Sequence, residues 1–148
     1  MKININNMSR EDRCKLAINK GYVYDPITGI VKNRLGKEIT KKVNGYTYMK
    51  LGIYTHQFAW YYMYNECVEC IDHINRIKTD NRIENLRSIT SHQNKFNTNA
   101  KGYCYDKDIK KFRSYIALNG KTKHLGVFTD ESEARQVYLD AKKEYHII

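Results

Sequence analysis

The chain has 148 residues, with 26 Lys and Arg against 16 Asp and Glu, a formal net charge of +10 and a sequence pI near 9.4. That length fits one ordinary domain or two small ones side by side, and the charge calls for a polyanionic partner, nucleic acid ahead of an anionic membrane surface. No apolar run approaches a membrane span, and the start Met1-Lys2-Ile3-Asn4-Ile5-Asn6 lacks the apolar stretch and cleavage site of a signal peptide, so no membrane partner is expected and an intracellular location is.

Ser9 to Asn19 reads as a helix, with Ser9 as N-cap, Asp12 three residues on, and Leu16 and Ile18 following; a tethering arm is its expected role. From Gly21 to Tyr54 short β-type runs alternate with turns at Asp25-Pro26, Thr28-Gly29, Leu35-Gly36 and Asn44-Gly45, which predicts an antiparallel meander. His56 to Glu66 places Phe58, Ala59, Tyr62 and Met63 on one helical face. Ile71 to Asn97 is richer in amides: polar loops around a short strand at Leu86 to Thr90, then a helix start at Ser91. The polar run Asn97 to Lys101 reads as a linker. Beyond it come strands near Tyr103-Tyr105, at Phe112-Leu118 and at Lys121-Phe128, the last two joined by Asn119-Gly120. A helix capped by Asp130 follows and presents Ala134, Val137, Tyr138 and Ala141 on one face. The fold class expected is α+β.

Four cysteines, Cys14, Cys67, Cys70 and Cys104, fit thiols of a reducing compartment rather than a disulfide frame. Cys67 and Cys70 alone have zinc-like spacing and lack the second pair of a structural site, so no zinc is expected. Thirteen tyrosines interleaved with Lys and Arg suit stacking on bases or packing on sugars, although ordinary half-buried positions account for most of them.

The chemistry concentrates in Asp72-His73, Asn85 and Asn94. Phosphodiester hydrolysis needs a base for the attacking water, and an imidazole, which ordinarily titrates near neutrality, serves. It also needs a hard cation for the charge that grows on the phosphorane and the leaving oxygen. Mg²⁺ takes oxygen ligands, often only one or two of them from protein. His73 fits the first demand; the Asp72 carboxylate and the Asn94 amide oxygen fit the second. Adjacent strand residues point to opposite faces, so Asp72 and His73 divide the two tasks. Asn85 can bridge backbone groups of the loop. His92 rivals Asn94 as a metal ligand; its other reading is a solvent-facing residue of the first helical turn. His56 reads as a helix-start residue bonded locally, and His124 as a strand residue near either a DNA face or the core.

The stretch Ile71-Asp72-His73-Ile74-Asn75, then Asp80-Asn81-Arg82-Ile83-Glu84-Asn85-Leu86-Arg87, then Asn94-Lys95-Phe96-Asn97 resembles the HNH (ββα-metal) nucleases, in particular the homing endonucleases of phages and introns. Tyr24-Asp25-Pro26-Ile27-Thr28-Gly29 and His56 before a helix also look like that group. The resemblance implies His73 as general base, Asp72 and Asn94 as metal ligands and Asn85 as the structural asparagine, with Mg²⁺ or Mn²⁺ as cofactor. Asn94 stands where the family name has its last histidine. The paired-cysteine zinc frame of some relatives is missing. Lys101-Gly102-Tyr103, Phe112-Arg113-Ser114-Tyr115-Ile116 and His124-Leu125-Gly126-Val127-Phe128 resemble the APETALA-two (ethylene-response-factor) DNA-binding domain, which implies a three-stranded sheet in the major groove with its helix behind. Arg113, Tyr115, Lys121 and Lys123 are its candidate contacts, although alternation lets only one face reach DNA.

The expected architecture is therefore an HNH nuclease domain over residues 1–98, with a ββα-metal core at about 67–98 preceded by the meander, and an APETALA-two-like domain over 99–148, a three-stranded antiparallel sheet on one helix. The expected function is a metal-dependent DNA endonuclease acting on double-stranded DNA, in the cytoplasm of a bacterial host if carried by a phage. Arg82 and Arg87, with Asn75, Arg76 and Lys78 beside them, are candidate phosphate contacts whose other reading is a solvated basic loop. The alternative function is a non-catalytic, sequence-specific DNA-binding regulator on a nuclease scaffold. An RNA-binding module is a third class, but no common RNA-reading motif occurs.

Overall fold

A computed structural model describes residues 4–146; Met1, Lys2 and Ile3, read above for a leader, lie outside the described residues. The protein is α+β, and among the described residues it has four α-helices and ten short strands in small antiparallel sheets. It divides into two compact units, Met1–Thr90 and Ser91–Ile148, ahead of the polar run Asn97–Lys101.

In the first unit, α1 spans Arg10–Asn19, and the Ser9 hydroxyl accepts the Asp12 backbone N–H at 3.1 Å, as the cap reading requires. The tethering role does not hold. Cys14 and Ala17 are fully buried in the main core with Phe58 and Ala59, because two small side chains three apart let this helix approach its neighbour closely. The meander is broken into two sheets. β1 (Val23–Tyr24) pairs with β2 (Val31–Lys32), while β3 (Lys42–Val43), β4 (Tyr46–Met49) and β5 (Ile53–Tyr54) form a separate three-stranded sheet. The interruption is the loop after β2, which Asn33 closes on itself by accepting the Leu35 and Lys37 N–H groups, both at 3.0 Å. Asn44 and Gly45 have φ of 52° and 84°, the positive pair that a two-residue type I′ hairpin demands.

α2 spans Thr55–Tyr64 and ends at Asn65 in the left-handed conformation. It buries Thr55, His56, Phe58, Ala59 and Tyr61, so Tyr61 takes the core position expected of Tyr62, and Tyr62 and Met63 are exposed. β6 (Cys70–His73) and β7 (Leu86–Ile89) then form an antiparallel hairpin with Asp72 opposite Arg87 and His73 opposite Leu86. The Cys67 thiol shares a hydrogen bond with Cys14, whose own thiol burial pushes up to about 12, an unreactive group.

The second unit begins with α3 (Ser91–Phe96), followed by β8 (Tyr103–Asp106), β9 (Lys111–Leu118) and β10 (Lys121–Phe128) in the order β10-β9-β8, and α4 (Glu131–Tyr145). The Asp130 carboxylate accepts the Ser132 and Glu133 N–H groups and starts α4. The helix packs Tyr138 and Ala141 against Ile116, with Leu118, Leu125 and Leu139 around them. Gly102 lies flat under the Tyr138 ring, and a Cβ there would sit 2.0 Å from Tyr138 Cγ.

Candidate active site and nucleic-acid face

The β6 alternation separates Asp72 from His73 as strand geometry requires. Asp72 is partly buried, and its Oδ2 accepts from Arg87 Nε at 2.8 Å and from the Arg87 terminal nitrogen at 2.7 Å. Charge-assisted bonding of this kind orients a carboxylate firmly. Arg87, a candidate phosphate contact from the sequence, is thus committed to Asp72.

His73 is 4% exposed, and its Nε2 lies 2.9 Å from Asn81 Oδ1. The Asn81 amide nitrogen donates to Thr55 Oγ1 at 2.8 Å and Thr47 Oγ1 at 3.1 Å, which assigns Oδ1 as the acceptor facing the histidine. Nε2 therefore carries the proton, and Nδ1 keeps the lone pair that a base needs. The Thr47 and Thr55 hydroxyls also contact each other, so the β3-β4-β5 sheet and the start of α2 together hold Asn81.

What places Asn81 is the turn Tyr24–Gly29. Tyr24 donates its hydroxyl to the Asn81 carbonyl at 2.6 Å, Ile83 N–H donates to the Pro26 carbonyl at 3.0 Å, and Gly29 is pressed against the Asn81–Arg82 peptide. Two runs far apart in sequence are thereby one structural unit, a socket and the segment seated in it. Asn85 ties the far side of the loop: its Oδ1 accepts the Asn75 N–H at 2.9 Å, and its amide nitrogen donates to Asn75 Oδ1 and to the Asp80 carbonyl. The sequence reading of Asn85 as a bridge across loop backbone groups matches these bonds. Arg82 donates to Asp80 and pairs with Glu84, holding the Asp80 carboxyl down at about 2.

His56 was expected to bond locally. Instead its ring stacks on Tyr54 at 5.5 Å and meets the His73 ring edge-on at 5.2 Å, and its Nδ1 is buried with no hydrogen-bond partner among the described residues. Burial first, then His73 and Arg10, lowers its pKa to about 3 from an ordinary 6.5. The folded-state value lies below the unfolded one, so the neutral ring contributes its full stability above about pH 6.5 and loses it as pH falls toward 3. The thermal midpoint of the protein is expected to drop across that window, and less steeply in His56→Phe. Parallel acid melting curves for the two proteins would remove His56 as the source.

Asn94 is an exposed residue of α3, in the second unit. Its neighbour His92 is also exposed, its ring against Phe96 at 4.8 Å. In the sheet of that unit, residues paired across strands share a face. Arg113 and Tyr115 lie on the face open to solvent, with His124 opposite Tyr115. Lys121 and Lys123 pair with Leu118 and Ile116 and so belong to the α4 side, where Lys123 Nζ donates to Tyr145 Oη at 2.8 Å. The four candidate contacts therefore do not form one surface. Arg113 is further paired with Asp106 at 2.6 Å.

Asn81, Tyr24 and Gly29 were not among the sequence candidates. Residues 53–95, which include Asp72, His73, Asn81, Asn85 and Asn94, match the family model described as HNH endonuclease. Comparison with curated proteins returns no match, and neither does comparison with solved structures.

Proposed function

We propose that this chain is a divalent-metal-dependent DNA endonuclease of the homing type, with His73 as general base and the second unit as its site-selecting part. The observation that carries this reading is the fixed tautomer of His73: Asn81 holds Nε2–H, which leaves Nδ1 as a proton acceptor one residue from an oriented carboxylate. His73 would take the proton of the attacking water, Asn81 would hold the ring in that tautomer, and Asn85 would keep the loop closed.

HNH nucleases generally depend on a divalent metal. The donors proposed for it, the Asp72 carboxylate and the Asn94 carboxamide, are hard oxygens that suit Mg²⁺ or Mn²⁺, and Arg87 anchors the Asp72 group through Oδ2. Among the described residues no three His, Cys, Asp or Glu side chains gather as a metal centre, and an ion that takes most of its shell from water and phosphate needs no such cluster. When bound, the ion would supply charge neutralisation at the phosphate. Among the described residues no helix is long and apolar enough to cross a membrane.

Incubation with plasmid DNA is expected to give nicked or linear product with Mg²⁺ or Mn²⁺ and none with chelator. Retarded but intact plasmid under every metal would instead support the second reading, a DNA-binding regulator on the same scaffold. That reading draws on the Arg87 guanidinium lying on Asp72, a cation where a metal would sit.

A further inference from the structure

The cations that sequence marks for DNA are largely engaged elsewhere: Arg82 with Asp80 and Glu84, Arg87 with Asp72, and Arg113 with Asp106. A different set is unpaired. Two depressions on the first unit share Tyr22 and Asn33 as common wall; Lys20 and Arg34 line one, and Lys37, Lys41 and Lys50 line the other. Among the described residues none of these five forms an ion pair, and Glu38 is the single carboxylate in either lining.

The walls of this groove are built rather than loose. Asn33 accepts the Leu35 and Lys37 N–H groups, and Asn33 N–H donates to the Lys37 carbonyl at 2.9 Å, which locks the loop that carries Arg34 and Lys37. Gly21, at φ +79°, lets the end of α1 turn in against that loop, where a Cβ would sit 2.9 Å from Arg34 Cβ. On the other side the Lys41 carbonyl accepts the Tyr48 N–H at 2.8 Å, setting Lys41 beside the strand that leads to Lys50. Tyr22 and Tyr48 supply ring surface between the cations. A preorganised concave surface of unpaired cations and aromatic rings fits a phosphate backbone, whose repeating charges such an array neutralises while the rings pack on sugars.

We infer that this groove, outside the Asp72–His73 hairpin, binds the phosphate backbone of the duplex and supplies sequence-independent affinity. The choice of duplex DNA as occupant rests on the nuclease reading; the polyanion-binding chemistry rests on the groove alone.

Lysine acetylation of the full chain, read by mass spectrometry with chelator present, tests the inference on the wild-type protein. Duplex DNA is expected to suppress modification of Lys37, Lys41 and Lys50 severalfold and to leave Lys15, which is paired with Glu11 on α1, as the internal reference. In salt titrations of duplex binding, the triple variant Lys37→Ala, Lys41→Ala, Lys50→Ala is expected to reduce the slope of log K against log salt by about 2 to 3, since each neutralised phosphate contributes about 0.9. Unchanged lysine reactivity with DNA bound, or protection by anionic vesicles but not by duplex, overturns the inference. The two readings fail separately. A protein that cuts DNA while its groove lysines stay reactive keeps the nuclease assignment and loses the groove; one that never cuts but shows the protection and the slope change keeps the groove and loses the nuclease assignment.

Discussion

Replacing His73 with alanine is expected to lower DNA cleavage by ~10²–10⁴-fold, the usual contribution of a positioned base, with duplex affinity nearly unchanged. The histidine has a second role that has to be separated from the first. Its Nε2–H satisfies Asn81 Oδ1 inside a buried network, so alanine also leaves that oxygen without its donor, a loss of about 1–3 kcal/mol of stability. His73→Gln separates the two. An amide side chain can offer an N–H to Asn81 and cannot take a proton at neutral pH. Gln at this position is expected to recover much of the melting temperature and none of the cleavage. Should His73→Gln cut DNA at near wild-type rate in saturating Mg²⁺, the base is another group and the reading of His73 falls.

Gly29→Ala is expected to be the most damaging single-methyl change in the first unit. Gly29 has φ +73°, and a Cβ there would sit 2.5 Å from the Arg82 nitrogen and 2.6 Å from the Asn81 carbonyl carbon. Both obstacles are backbone, so no side chain can swing aside, and the displaced peptide is the one that carries the His73 partner. Gly36 supplies the control. It shares the positive φ, at +75°, but has no atom within 4 Å of its built Cβ. Gly36→Ala therefore measures the backbone penalty alone, about 1–2 kcal/mol, and leaves cleavage close to normal. Gly29→Ala should exceed it by about 1–3 kcal/mol in urea unfolding, the range that steric conflict in a packed interior produces, and should reduce cleavage by at least ~10²-fold, as a misplaced reacting group does. Equal effects of the two substitutions would show that the close approach carries no energetic weight.

Local signals in the sequence read well because local physics set them. Ser9 and Asp130 cap their helices, Asn44-Gly45 turns its hairpin, and β10 spans Lys121–Phe128 after the Asn119-Gly120 turn as expected. The Asn85 bridge was also legible, since its partners Asn75 and Asp80 belong to the same loop. Asn81 was not, because three amides lie close together there and the one facing His73 is chosen by a contact to Tyr24 across 57 residues. The burial of His56 escaped for a similar reason: its neighbours Tyr46, Tyr54 and His73 come from three different strands. The face of Lys121 and Lys123 could have been read. A two-residue turn at Asn119-Gly120 pairs Leu118 with Lys121, and counting back two places Lys123 against Ile116, on the apolar side. On α2, one residue of rotation exchanged Tyr62 for Tyr61, a shift that a short helix with rings on several sides does not resolve from spacing alone.

The socket at Tyr24–Gly29 also has a consequence for the order in which the protein becomes competent. Synthesis runs from the N-terminus, so the β1–β2 hairpin leaves the ribosome well before the segment it receives. The contact between Tyr24 and Asn81 closes a long loop, and most of that closure is the entropy of finding a distant partner. Strands of two residues each are marginal by themselves, so the hairpin and the later segment order one another, and the imidazole acquires its working tautomer when Asn81 docks there. A nascent chain stalled before residue 81 would hold Asp72 and His73 without the amide that orients the base. The Asn81–Arg82 peptide thus joins two events in one docking step, closure of a long loop within the first unit and orientation of the imidazole beside it.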